Sequence, residues 1–157
     1  MRENNVYEQF TFDRIDSLVY LDCVIKEVMR YHSPIIGIVR TLMADDCLPE
    51  SGFQLRKGQT LYIPIHNLAH DPRYWSIDPE RFVNEDKDHH PYALIPFGEG
   101  HRICGGRDLA RFELKVIIAR LMQFVTFGDG GPTVNAGGFT RAVSKPKHVG
   151  VTITFDE

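Results

Sequence analysis

The residues best suited to chemistry lie in Phe97-Gly98-Glu99-Gly100-His101-Arg102-Ile103-Cys104-Gly105-Gly106, a glycine-rich loop that delivers one cysteine just ahead of a predicted helix start. Unpaired N–H groups and the helix macrodipole make that position electropositive, which favours a thiolate over a thiol. Arg102 adds positive charge nearby. The flanking glycines permit a positive φ and close backbone approach to the sulfur. Such a sulfur could be a metal ligand or a nucleophile; the plain alternative is a buried, inert cysteine in a tight turn. Cys23 and Cys47 complete an odd count with no CxxC spacing. That count argues against a disulfide framework or a cysteine-rich zinc site and fits a reducing compartment. The seven histidines form no ligand constellation: His89-His90 reads as solvated, and His32 and His66 lack a spaced partner.

The elements that must position this loop read as follows. Residues of about 16–32 form a helix, with Asp16 or Ser17 as N-cap and Leu18, Leu21, Ile25 and Val28 as its apolar stripe. Ser33-Pro34 stops it. Ile35 to Val39 are extended, and Leu61, Ile63 and Ile65 alternate with Tyr62 and Pro64 as an edge strand. Residues of about 71–96 form a long meander with a short helical turn near Pro79; loops of this length are usually functional. A second helix spans about 106–125 and ends at Gly128 to Pro132, with terminal strands over about 133–156. Among these, Val149, Val151, Ile153 and Phe155 alternate with small or polar residues. From Leu114 to Val125 the second helix is apolar almost all round, a pattern that belongs in the core of a larger body and predicts a missing partner segment.

Composition sets outer bounds. The 157 residues are 43% apolar and 25% charged, with net charge −3, close to an ordinary soluble domain and unlike a strongly basic nucleic-acid binder. No apolar run is long enough to cross a membrane, and Met1 to Phe10 are polar and acidic, unlike a signal or transit peptide.

The spacing Phe97-x-x-Gly100-x-Arg102-x-Cys104-x-Gly106 resembles the haem-ligand signature of the cytochrome P-450 family. Five such fixed positions arise by chance on the order of 10⁻⁵ times in a chain this size. Gly105 departs from the pattern, standing where the family usually carries a small or medium apolar side chain. Glu27-Val28-Met29-Arg30, followed by Tyr31-His32-Ser33-Pro34 and later by Asp78-Pro79-Glu80-Arg81-Phe82, resembles the family's K helix and the meander after it. The resemblance implies a buried structural triad of Glu27, Arg30 and Arg81. It implies Cys104 as the axial ligand of haem b iron, with Phe97, Gly98 and Gly106 around it and Arg102 and Arg40 as contacts to the haem propionates, a task suited to Arg. Ile35, Ile36, Gly37, Ile38 and Val39 match a segment lining the substrate pocket, and Gly138-Phe139 lie near a late turn that does the same.

The implied fold is α+β: two main helices, short antiparallel strands and a long meander, the C-terminal portion of a mainly helical haem-thiolate fold. The implied reaction is monooxygenation, one atom of O2 entering an apolar organic substrate. The cysteine thiolate pushes electron density that favours O–O cleavage. Electrons come from NADPH through a reductase or ferredoxin-type partner, with Arg107, Arg111 and Lys115 as a possible basic docking face or a plain solvated one. The family's central helix and N-terminal segments have no counterpart here, so a fragment, or one half of a split protein, is expected. An intracellular setting is expected too, with endoplasmic reticulum association only through an N-terminal segment absent from this chain. Rival readings are a non-catalytic haem-binding remnant, a peroxide-rearranging thiolate-haem enzyme, and a thiol enzyme using Cys104 as nucleophile.

Overall fold

The computed structural model describes residues 11–75, 82, 89–132, 135, 139–140, 143–144 and 148–156. In order, the described elements are α1 (Phe12–Asp16), α2 (Val19–Tyr31), β1 (Ile38–Thr41), β2 (Asp46–Cys47), β3 (Gln54–Leu55), β4 (Thr60–Ile63), α3 (Ile65–Ala69), α4 (Arg107–Leu121), β5 (Val125–Asp129), β6 (Phe139–Thr140), β7 (Val143–Ser144) and β8 (Val151–Phe155). Two 3₁₀ turns, Pro91–Ala93 and Gly100–Arg102, lead into α4. The architecture is α+β with short antiparallel pairs, as expected.

The first predicted helix is two helices. Ser17 closes α1 by donating its hydroxyl to the Arg14 carbonyl at 2.8 Å, so it does not cap α2. Leu18 takes the N-cap position of α2 without a side-chain cap bond. The buried face of α2 also differs from the predicted stripe. Cys23, Ile25 and Arg30 are buried, whereas Val28 is exposed. The reason is α3, whose carbonyl at Ala69 accepts from Arg30 and draws the charged side of α2 inward.

The strands β1 and β4 pair antiparallel, Arg40 opposite Leu61, and enclose the smaller β2–β3 pair, a nested hairpin. The strand predicted through Ile65 ends at Ile63, because Pro64 becomes the N-cap of α3 and Ile65 turns into the core. Gly37, before β1, lies against the Tyr62 ring, where any Cβ would collide with it.

The second helix ends at Leu121, short of the predicted 125. Val125 instead opens β5, which pairs residue for residue with β8, Val125 opposite Phe155. Gly128 therefore stands inside a strand; its missing side chain makes room for Thr152 directly across the ladder.

Cys23, Trp75, Phe82 and Ala93 form a core cluster with Leu94 against it, joining α2 to the two ends of the meander. The Cys23 thiol donates to the Phe82 carbonyl at 3.5 Å. His89 packs its ring on Trp75 and Phe82, with centroids 5.1 and 5.6 Å apart, so it is not the solvated residue predicted. The predicted helical turn near Pro79 lies outside the described residues. No helix among the described residues is long and apolar enough to cross a membrane.

Candidate functional site

The cysteine loop is built from two backbone devices. Gly98 and Gly100 adopt φ of 74° and 71°, the left-handed region that glycine enters without steric cost. Gly105 and Gly106 do not, so their role is openness rather than conformation. The Cys104 N–H donates to the Phe97 carbonyl at 2.9 Å, closing the loop, and the Cys104 carbonyl accepts from Arg107, the first residue of α4, at 3.2 Å. The cysteine is thus clamped between Phe97 and the helix start while its side chain stays exposed. Gly105 is exposed too, and a Cβ there would meet nothing within 4 Å; one on Gly106 would touch the Cys104 sulfur at 3.9 Å. The sulfur therefore lies on an open face that a flat macrocycle could cover. Phe97 is half-buried and Gly98 is buried behind it.

Arg102 ends the Gly100–Arg102 turn and is exposed. Arg40 lies in β1, half-buried, with its guanidinium donating to the Val39 carbonyl at 2.8 Å. Ile35, Ile36, Gly37, Ile38 and Val39 run in extended conformation into β1, with Ile35 and Val39 exposed. Phe139 lies in β6, paired opposite Ser144. Gly138 lies outside the described residues.

Glu27 and Arg30 meet in a two-pronged pair, Arg30 Nε to Glu27 Oε2 and Nη2 to Oε1, both 2.7 Å. Arg30 Nη1 also donates to the Ala69 carbonyl at 2.7 Å, and its guanidinium lies 5.7 Å from both the Trp75 and Tyr31 ring centres. Arg30 is 6% exposed, so each of these contacts acts in a poorly screened setting. Arg81, the expected third member, lies outside the described residues.

Arg107, Arg111 and Lys115, read from sequence as either a docking face or a solvated one, are instead engaged in ion pairs within the chain. Arg111 and Lys115 turn inward onto Asp22 of α2, Lys115 is buried, and Arg107 pairs with Asp108 at 2.8 Å. Asp22 escapes sequence reading because its main partner lies 89 residues away. Only its i,i+4 spacing to Lys26 hints at a charged role. His66 is not alone either. Its ring lies 4.2 Å from that of His70, and burial, then the charges of His70 and His32, hold its pKa below the ordinary value.

Comparison with known proteins matches the chain to one family. The cytochrome P450 family model matches residues 2–132. Cytochrome P450 4A10 of Mus musculus is 36% identical over 143 residues, 88% of this chain and 27% of that protein. Cytochrome P450 9e2 of Blattella germanica is 37% identical over 120 residues, 73% of this chain and 22% of that one. Among solved structures, a retinoic acid-bound cyanobacterial CYP120A1 superposes with a TM-score of 0.81 at 29% identity, covering 93% of this chain and 35% of its own. The chain therefore spans about a quarter of the curated relatives it matches. A cysteine held on an open glycine face at a helix start, a Glu–Arg pair whose guanidinium is buried, and these matches together place the chain in the cytochrome P450 family.

Proposed function

We propose that this chain supplies the thiolate side of a haem monooxygenase that inserts one atom of O2 into an apolar organic substrate. The observation that carries the reading is the exposed Cys104 side chain, clamped by its backbone between Phe97 and α4 on an unobstructed glycine face. The residues fit haem b: one thiolate donor, open space beside it, and the exposed guanidinium of Arg102 for carboxylates, with Arg40 as a second candidate. When bound, haem supplies the oxygen activation, with thiolate ligation as the family's electronic lever.

The chain's own residues do the rest. Phe97 and Gly98 fix the backbone that presents the sulfur, and Gly106 leaves the sulfur's flank clear. Ile35 to Val39 offer apolar side chains toward a substrate. Glu27 and Arg30, with Arg81 in the proposed triad, hold α2 to α3 and the meander, so that the loop has a rigid base. Electrons come from NADPH through a separate reductase or ferredoxin-type donor, in an intracellular setting.

The test is spectroscopic. Haem-reconstituted protein, reduced under carbon monoxide, is expected to show the red-shifted band of a thiolate–haem complex. Cys104→His should lose that band, while Cys23→Ala and Cys47→Ala keep it. An unchanged spectrum in Cys104→His would overturn the assignment. Thiol-reagent labelling of Cys104 at full rate with haem present would favour a thiol enzyme instead.

A further inference from the structure

Asp22 on α2 gathers three cations. Arg111 Nη2 donates to both its carboxylate oxygens at 2.7 and 2.9 Å, and Lys26 and Lys115 approach at 3.3 and 3.4 Å. Lys115 also reaches Asp16, the last residue of α1, at 4.0 Å. Two helices, α2 and α4, therefore meet at one mostly covered carboxylate, and Lys115 extends the network to α1. Burial pushes the Asp22 pKa up, but the Arg111 hydrogen bond and the surrounding charges win and hold it below the usual carboxylate value. The group is ionised wherever the protein is folded near neutral pH.

Packing beside this contact is open. A cavity of about 430 Å³ lies on one side, lined by Phe12, Leu109, Arg111 and Phe112 among others. A second of about 160 Å³ lies between α2, the start of α4 and the cysteine loop, lined by Met29, Phe97, Gly98, Arg107 and Arg111. Side chains facing empty space forfeit dispersion contacts, so the ionic contact carries much of the positioning of α4 on α2 here. Arg107, Arg111 and Lys115 recur every four residues and share one face of α4. The Arg107 N–H is bonded to the Cys104 carbonyl, so a shift of α4 is passed directly to the cysteine.

We propose that Asp22 is a positioning residue, which sets the place of the Cys104 sulfur by fixing α4 on α2 and so decides how persistently the thiolate coordinates iron. The proposal rests on the haem-thiolate reading above. Its test compares the full chain with Asp22→Asn, Asp22→Glu and Arg111→Lys, and with Glu113→Gln, an exposed change on the same helix. The first readout is the ratio of thiolate-type to neutral-thiol-type bands in the ferrous–CO spectrum at equal bound haem. Asp22→Asn should lower that ratio roughly tenfold, the scale of coupling through such networks. Asp22→Glu should restore most of it and Glu113→Gln should leave it unchanged. The second readout, on haem-free chain, is hydrogen exchange at Ala110 and Arg111, which should quicken by a similar factor in Asp22→Asn. If Asp22→Asn takes up no haem, Arg111→Lys decides, since it keeps the charge and loses the forked contact. An unchanged band ratio in the haem-binding variants overturns the proposal, and so does unchanged exchange. If the unsubstituted chain gives no thiolate band, the haem reading fails, and exchange alone still decides whether Asp22 holds α4.

Discussion

Replacing Glu27 with alanine removes both 2.7 Å acceptors from a guanidinium that is 6% exposed. Arg30 keeps its bond to the Ala69 carbonyl and its place beside Trp75, so it cannot swing to solvent without dismantling the α2–α3 contact. The cost is therefore that of a stranded buried charge, about 3–5 kcal/mol, a large share of the 5–15 kcal/mol that holds a domain folded. Glu27→Gln retains one acceptor and should cost less, about 1.5–3 kcal/mol for the charged hydrogen bond lost. The double change Glu27→Leu with Arg30→Met removes both charges and should recover part of the loss. Recovery stays incomplete because the Ala69 carbonyl then lacks its donor, at about 1–3 kcal/mol. Urea denaturation reads the series. With a slope of about 1–3 kcal/mol per molar, Glu27→Ala should lower the midpoint by at least about 1 M, or yield insoluble protein. A shift worth no more than about 0.5 kcal/mol, the size of an exposed i,i+3 pair, would show that Glu27 is a surface residue and that the argument from burial is wrong.

Two further outcomes are expected. The pKa of His66 is lowered in the folded state by burial and by His70 and His32, so the native protein binds fewer protons than the unfolded chain below the ordinary value of about 6.5. Its contribution is present above that pH and is lost as pH falls; urea midpoints from neutral to mildly acidic pH should decline, and His66→Gln should flatten that slope, an identical slope refuting the reading. The second concerns the open apolar side chains Leu109, Ile117 and Leu121 of α4 and Met122 just after it, together with Val19, Val24 and Val28 of α2. Co-expression with the N-terminal part of a relative should raise haem retention and product formed per NADPH consumed, whereas efficient, well-coupled turnover by this chain alone would refute the need for a cover.

The parts legible in sequence were those written in local chemistry. Gly98 and Gly100 stand where positive φ is required, and the proline at 34 marks where the first helical stretch stops, whereas Pro64, read as part of a strand, ends it and starts α3. The α+β architecture followed from the two helical patterns and the alternation of Val151, Ile153 and Phe155. What misled was hydrophobic periodicity on α2. Leu18, Leu21, Ile25 and Val28 form a good stripe, yet the face turned to the described core carries Cys23 and Arg30. Apolar periodicity finds the buried side of a helix only when that side is apolar. Here a hydrogen-bonded charge pair is buried and an apolar face lies open. The same reasoning explains β5: Gly128 reads as a breaker until the strand opposite it is known, and Thr152 lies far along the chain.

The cysteine was legible for a different reason from the groups that hold it. A ligand loop is short, so its residue types and spacing sit in one window of sequence. Its supports are long-range: Arg30 meets a carbonyl 39 residues on, and Asp22 meets Arg111 across 89. Both supports start on α2 and use its two charged turns. Glu27 and Arg30 tie that helix to α3 and to Trp75 at the start of the meander; Asp22 ties it to α4. The cysteine loop runs from the meander into α4, so the Asp22 contact anchors the helix at its exit, while the Glu27–Arg30 contact holds α3 and the start of the meander that leads to it. Losing the Glu27–Arg30 contact should loosen α3 and the start of the meander, and losing the Asp22 contact should free α4 at the loop's exit. The two losses should therefore add to more than either alone in stability, while of the two only the Asp22 contact acts on a helix that is itself bonded to Cys104, through Arg107.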